Sequence, residues 1–281
     1  MLEWWYRLLD ILLPLPWLDH IFMKNALLAV LLATPLFGIL GTMVVNNRMA
    51  FFSDSLGHGA FTGIAIGTLM GGIKPLTATI IFSILFAGTI TIIKNRSSAS
   101  TDTIIGVFSS TAIALGLVIM SHGGGFNKFS GYLVGDLLSI TPYEIKLLFI
   151  VFLGVLLLWL LSFNKLLLIS INPSLAASRG INTLLIESIF SAALAVVVTV
   201  TIQWVGLLII NSLLVLPAAA ARNVSLNVRQ YHLFSGLIAI VSGVTGLTLS
   251  YYWNTVTGAT IVLVSAALFI TTYIIRNRFL D

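Results

Sequence analysis

Asp54 and His58 stand four residues apart in the run Asp54-Ser55-Leu56-Gly57-His58, at the head of an apolar helical stretch. A carboxylate and an imidazole together suit zinc, manganese or ferrous iron, whereas calcium and magnesium favour oxygen donors alone. Four residues turn an α-helix by about 400°, so the two side chains project about 40° apart and can face one ion. Ionisable groups at membrane depth are expensive, which makes the pair a functional candidate. The plain alternative is an intrahelical hydrogen bond. Two ligands do not complete a coordination shell, so another helix, backbone carbonyls or water must supply the rest.

The same stretch carries Gly59, Gly63, Gly67 and Gly71 at a four-residue step. That ridge falls on roughly the far side of the helix from Asp54 and His58, and small residues at this spacing predict close helix packing in lipid. Asp136, Thr62, Gln203, Asn211 and Thr260 are further polar groups able to line or gate a path. Competing roles are a helix N-cap for Asp136 and helix-to-helix hydrogen bonds for the amides and hydroxyls. Glu187 reads as a charge favouring a helix N-terminus. His20, His122 and His232 have no second ligand at helical spacing.

Enzyme chemistry has little support. The chain has no cysteine, which removes thiolate metal sites and cysteine nucleophiles. It lacks a His-Glu-x-x-His metal motif, a Gly-x-Ser-x-Gly elbow and a phosphate-binding loop ending in Gly-Lys-Ser/Thr. Gly123-Gly124-Gly125 lacks the strand-then-helix setting of a phosphate cradle and reads as a loop. Any ATP used must therefore be bound by a partner.

Composition sets the positioning elements. Of 281 residues, 58% are hydrophobic and only 8% charged, which excludes an ordinary soluble domain. The reading is an all-α integral membrane protein, a polytopic bundle of eight to nine transmembrane helices. Apolar windows fall at 25–46, 56–73, 76–93, 103–121, 142–163, 183–204, 205–221, 232–253 and 258–275. The 205–221 window follows its neighbour with hardly a turn, so a broken or re-entrant element is the alternative there. Residues 164–183 form the longest polar stretch. Residues 1–23, with Trp4, Trp5 and Trp17 and prolines at 14 and 16, read as an interfacial segment ahead of a transmembrane domain over 24–281. The net charge of +5 comes from singly scattered basic residues, which speaks against nucleic acid. Arg48, Lys94, Arg96, Lys165, Arg179, Arg222, Arg229, Arg276 and Arg278 fall on one side, which puts the C-terminus in the cytoplasm.

Several segments, in order, resemble the permease subunits of zinc and manganese ABC importers, the ABC-3 family. Arg48-Met49-Ala50-Phe51-Phe52-Ser53-Asp54-Ser55-Leu56-Gly57-His58 is similar to the family's Arg-Met-x-x-x-x-Asp-x-x-x-His. Gly131-Tyr132-Leu133-Val134-Gly135-Asp136-Leu137-Leu138, Val205-Gly206-Leu207-Leu208, Leu216-Pro217-Ala218-Ala219-Ala220-Ala221-Arg222 and Thr257-Gly258-Ala259-Thr260 resemble later family segments. The resemblance implies a type II-like importer permease in the cytoplasmic (inner) membrane of a prokaryote. It implies a homodimer or paired permease, a cytoplasmic ATPase dimer that holds the ATP, and an extracytoplasmic metal-binding protein. No permanently bound cofactor is implied, since the divalent metal is cargo. Asp54 and His58 would lie in the ion path. Residues 173–182 resemble the family's coupling helix, with Pro173, Ala176, Arg179 and Gly180 as the contact with the ATPase. Gly57, Thr62, Asn211 and Asn254 depart from the commoner family pattern and leave the metal open among zinc, manganese and iron. A permease for a metal chelate and a proton-coupled secondary transporter are the alternative functions.

Overall fold

The computed structural model describes residues 2–12, 15–70, 75–122 and 131–279, and every element among them is helical. A short helix α1 (Glu3–Leu12) leads into α2 (Ile21–Asn46), α3 (Ala50–Met70), α4 (Pro75–Arg96) and α5 (Thr101–His122). A four-residue turn α6 (Gly131–Val134) and a 3-10 turn (Leu137–Ser139) precede α7 (Pro142–Ile171) and the short α8 (Pro173–Ser178). The chain ends with α9 (Thr183–Val205), α10 (Leu207–Val224), α11 (Val228–Trp253) and α12 (Thr257–Phe279). Gly71, Lys74 and the glycine run at 123–125 lie outside the described residues.

Seven helices are long and apolar enough to cross a bilayer: α2, α4, α5, α7, α9, α11 and α12. Helix α10 is shorter, and α3 is too polar to join the seven because Asp54, His58 and its glycines dilute its apolar residues. Both nevertheless pack inside the bundle, α10 against α2, α11 and α12, and α3 against α4 and α5. From Leu207 on, the 205–221 window is one continuous helix, separated from α9 by the single residue Gly206. Its 18 residues span about 27 Å, close to the hydrocarbon thickness. The polar stretch at 164–183 is less of a loop than its composition predicts. Helix α7 continues through it to Ile171 because Leu166 and Ile169 are buried against the bundle.

The interior belongs to α2 and α9, whose apolar windows are 67% buried, against 17% for α12. Spans that follow one another in the chain alternate in direction. Lys94 at the end of α4 meets Glu187 at the start of α9, and Tyr231 at the start of α11 reaches the Thr42 carbonyl near the end of α2. Arg48, Lys94, Arg222, Arg229 and Arg276 therefore gather at one end, here called the basic end. Helix α1 is pinned at the opposite end. Trp5 Nε1 donates to the Lys24 carbonyl, Tyr6 donates to Asn25, and the nearly buried Lys24 pairs with Asp10 at 2.5 Å.

Candidate functional site

Helix α3 starts at a tight corner. Arg48 adopts a left-handed conformation (φ 54°), and Met49 N–H donates back to the Val44 carbonyl at 2.9 Å. From Phe52 to Gly67 only Asp54, His58 and Ile66 keep accessible surface. The glycine ridge fills against α4: a Cβ at Gly59 would come 2.7 Å from Phe86, one at Gly63 2.9 Å from the Thr79 backbone, and one at Gly67 2.9 Å from Ala78. The face opposite that packing is the open one. There His58 Nε2 lies 3.5 Å from Asp54 Oδ2, with the imidazole 19% and the carboxylate 39% exposed. That separation is too long for a strong hydrogen bond and leaves both groups with lone pairs to offer.

The surroundings of the pair are held by neighbouring helices. Just before it, the Ser53 hydroxyl donates to the Asn211 side-chain carbonyl on α10. Gly57 brings α3 against Leu207 and Ile210 of the same helix. Just after it, Thr62 donates to the Ala112 carbonyl of α5 at 2.5 Å. Thr62 is fully buried, so it fastens α3 to α5 and meets no opening. Among the described residues no cluster of three or more His, Asp or Glu side chains forms, so Asp54 and His58 face the open side as a two-ligand set.

The remaining candidates are spread through the bundle. Gln203 donates to the Tyr132 hydroxyl at 3.0 Å, and both line a cavity of about 250 Å³ with Asp136, Ser139, Glu144 and Trp204. Asp136 Oδ1 accepts from Leu138 N–H and caps the 3-10 turn, which is the cap reading of that residue. Glu144 closes a capping box with Thr141 at the start of α7. Thr260 is buried, hydrogen-bonded to Thr255 and to the Val256 carbonyl. Glu187 accepts from Lys94 and Asn95, tying α9 to α4 at the basic end. Ser53, Tyr132, Glu144 and Trp204 were not singled out from the sequence. Of these only Glu144 carries a local signal, the Thr-x-x-Glu spacing of a capping box.

Within residues 173–182 the chain forms the short capped helix α8 (Pro173–Ser178). Pro173 occupies its first turn, and Asn172 Oδ1 accepts from Leu175 N–H at 3.0 Å. Gly180 (φ 75°) ends it, with Gly180 N–H bonded to the Ala177 carbonyl and Ile181 N–H to the Ala176 carbonyl, the paired bonds of a Schellman cap. Ala176 is the buried anchor of α8, while Leu175 and Arg179 are exposed.

Comparison with known proteins places this architecture. The chain matches the ABC 3 transport family over residues 19–276. It is 34% identical over 245 residues to the high-affinity zinc uptake system membrane protein ZnuB of Buchnera aphidicola subsp. Baizongia pistaciae, covering 86% of this chain and 94% of that protein. The manganese import system permease protein ScaB of Streptococcus gordonii is 28% identical over 260 residues, covering 92% and 93%. The solved structure of PsaBC from Streptococcus pneumoniae in complex with Fab superposes with a TM-score of 0.83 at 26% identity, covering 100% of this chain and 99% of that one. With its helices arranged as in that structure and its sequence matched over nearly the whole length, this chain belongs to the ABC 3 transport family as a membrane-spanning permease.

Proposed function

We propose that this permease carries a divalent transition metal ion, zinc or manganese with iron admitted by the same donors, along a path between two copies of the chain. The observation that carries this reading is the single open face of α3. Among residues 52–67 it exposes only Asp54, His58 and Ile66. An aspartate facing lipid costs up to about 2.5–3.5 kcal/mol at a helix centre and less in the first turns, where Asp54 stands on α3, and an i,i+4 pair recovers only about 0.2–0.5 kcal/mol. The face therefore needs water, an ion or a partner over it. A second copy related by two-fold symmetry would bring a second Asp54 and His58 to the same ion, raising two ligands to four. Homologous permeases named for zinc and manganese uptake favour an ion of this class.

The rest of the machinery follows the same reading. As a permease, the chain leaves ATP hydrolysis to a separate subunit. Exposed Leu175 and Arg179 on α8 are suited to seat in that ATPase, with the basic end and the C-terminus in the cytoplasm. The cavity with Asp136 and Glu144 lies beyond the end of α9 remote from Glu187, on the side where an extracytoplasmic binding protein would release its ion. Few protein ligands suit a transported ion, which must leave as readily as it binds.

The test is uptake of zinc, manganese and iron into proteoliposomes holding this chain with its ATPase and binding protein. Asp54→Ala and His58→Ala should each abolish uptake while the complex still assembles. Undiminished uptake in both variants would reduce the pair to a structural contact.

A further inference from the structure

At the basic end a second cavity, of about 600 Å³, opens between the ends of α2, α10 and α12 and the start of α11. Arg222, Arg276, Asn46, Asn223, Asn227 and Tyr231 line it, and among the described residues no Asp or Glu does. Neither arginine has an ion-pair partner among the described residues, whose pairs are Lys24 with Asp10, His58 with Asp54 and Lys94 with Glu187. The walls are fixed. Asn223 donates to Thr272 on α12 at 3.2 Å, and Tyr231 donates to the Thr42 carbonyl on α2 at 3.4 Å. Each helix end carries about half a charge, positive where α11 begins and negative where α2, α10 and α12 finish. These contributions offset in part, so the two guanidinium charges set the sign of the cavity.

We propose that this cavity binds a phosphate group, with Arg222 and Arg276 as its principal ligands. Planar guanidinium forks match phosphate oxygens in pairs, and the asparagine amides on the walls add N–H donors. Its level in the membrane fits a lipid headgroup. The apolar run of α12 ends at Ile275, directly before Arg276, so the cavity sits where hydrocarbon gives way to water. Exposed Leu226 and Val228 on its own wall give apolar surface that an acyl chain can cover. Soluble phosphate shares the recognition chemistry without using that surface. The inference stands apart from the metal path and does not depend on Asp54 or His58.

The experiment follows thermal unfolding of the purified permease–ATPase complex in neutral detergent. It is titrated separately with phosphatidylglycerol, phosphatidylcholine and inorganic phosphate. Phosphatidylglycerol should raise the midpoint where phosphatidylcholine does not, and Arg222→Gln with Arg276→Gln should weaken that effect by about tenfold or more, as expected when charge-assisted bonds are removed. The double lysine variant keeps the charge without the fork and should retain part of the effect, which separates recognition from misfolding. Stabilisation by inorganic phosphate alone, lost in the glutamine variants, assigns the cavity to a soluble anion. The proposal is overturned if neither ligand stabilises the complex, or if the glutamine variants respond like wild type. It is equally overturned if those variants release the ATPase while both titrations stay unchanged, since the face would then be a protein contact.

Discussion

Gly135 and Gly206 interlock through their backbones. A Cβ at Gly206 would fall 2.2 Å from the Val134 carbonyl oxygen, and one at Gly135 would fall 2.4 Å from Gly206 N. Both residues also hold positive φ, 75° and 90°. The contact seats the 131–139 segment on the break between α9 and α10, where Asp136 N–H donates to the Gln203 carbonyl at 3.4 Å. Gly206→Ala should destabilise the protein by more than the about 1–3 kcal/mol that a left-handed non-glycine residue costs alone, because the clash is with backbone on both sides. Thermal unfolding of the purified variant checks this. A midpoint within a degree of wild type would mean the two segments separate easily.

If α3 faces its own copy across the ion path, a residue on the rim of that open stripe will meet its symmetry mate. Phe51, one turn before Asp54 and 63% exposed, is such a residue. Because the chain has no cysteine, Phe51→Cys gives a single reporter. Mild oxidation in membranes should convert it to a disulfide-linked dimer, since bridging requires Cα atoms within about 7 Å. Leu263→Cys, on the lipid-facing side of α12, is the control and should stay monomeric. Equal cross-linking of both would point to random collision and count against the dimer arrangement.

Metal and proton compete for the His58 imidazole, because only the neutral ring can ligate. At limiting metal, uptake should therefore fall as the medium is acidified, and saturating metal should restore most of the rate. His58→Gln should show low uptake with a flatter profile. A wild-type rate unchanged on acidification would remove the imidazole from the path.

The parts of this design visible in the sequence are those that local physics dictates. Apolar length marks the spans, the Asp54-x-x-x-His58 step places two ligands on one face, and Pro173 and Gly180 bracket a helix. Helix α3 shows the limit. Its apolar window starts at 56, six residues after the helix begins at Ala50, because Ser53, Asp54 and Ser55 are polar. Of these, buried Ser53 finds its partner in half-buried Asn211, 158 residues away, which no window can register. Gly135 and Gly206 are likewise 71 positions apart, and the arginine cavity needs four helix ends brought together. Long-range contacts of this kind follow from the packing of whole helices, and the residues that make them carry no local signature.

Helix α8 offers the sharpest test of how the permease engages its ATPase. Its cap bonds are all internal, from Asn172 to Leu175 and from Gly180 and Ile181 back to Ala177 and Ala176. The fold of α8 therefore does not depend on Leu175, which is 42% exposed. Leu175→Asp should leave the unfolding midpoint of the isolated permease within about 0.5 kcal/mol of wild type, as for other surface substitutions. Against an apolar pocket on a partner the same change buries an unpaired charge, which costs several kcal/mol and should release the ATPase on purification. Ala176→Asp separates the two effects, because Ala176 is wholly buried within the permease and its replacement should lower the unfolding midpoint as well. A Leu175→Asp complex that still copurifies and hydrolyses ATP at the wild-type rate would move the coupling surface away from α8.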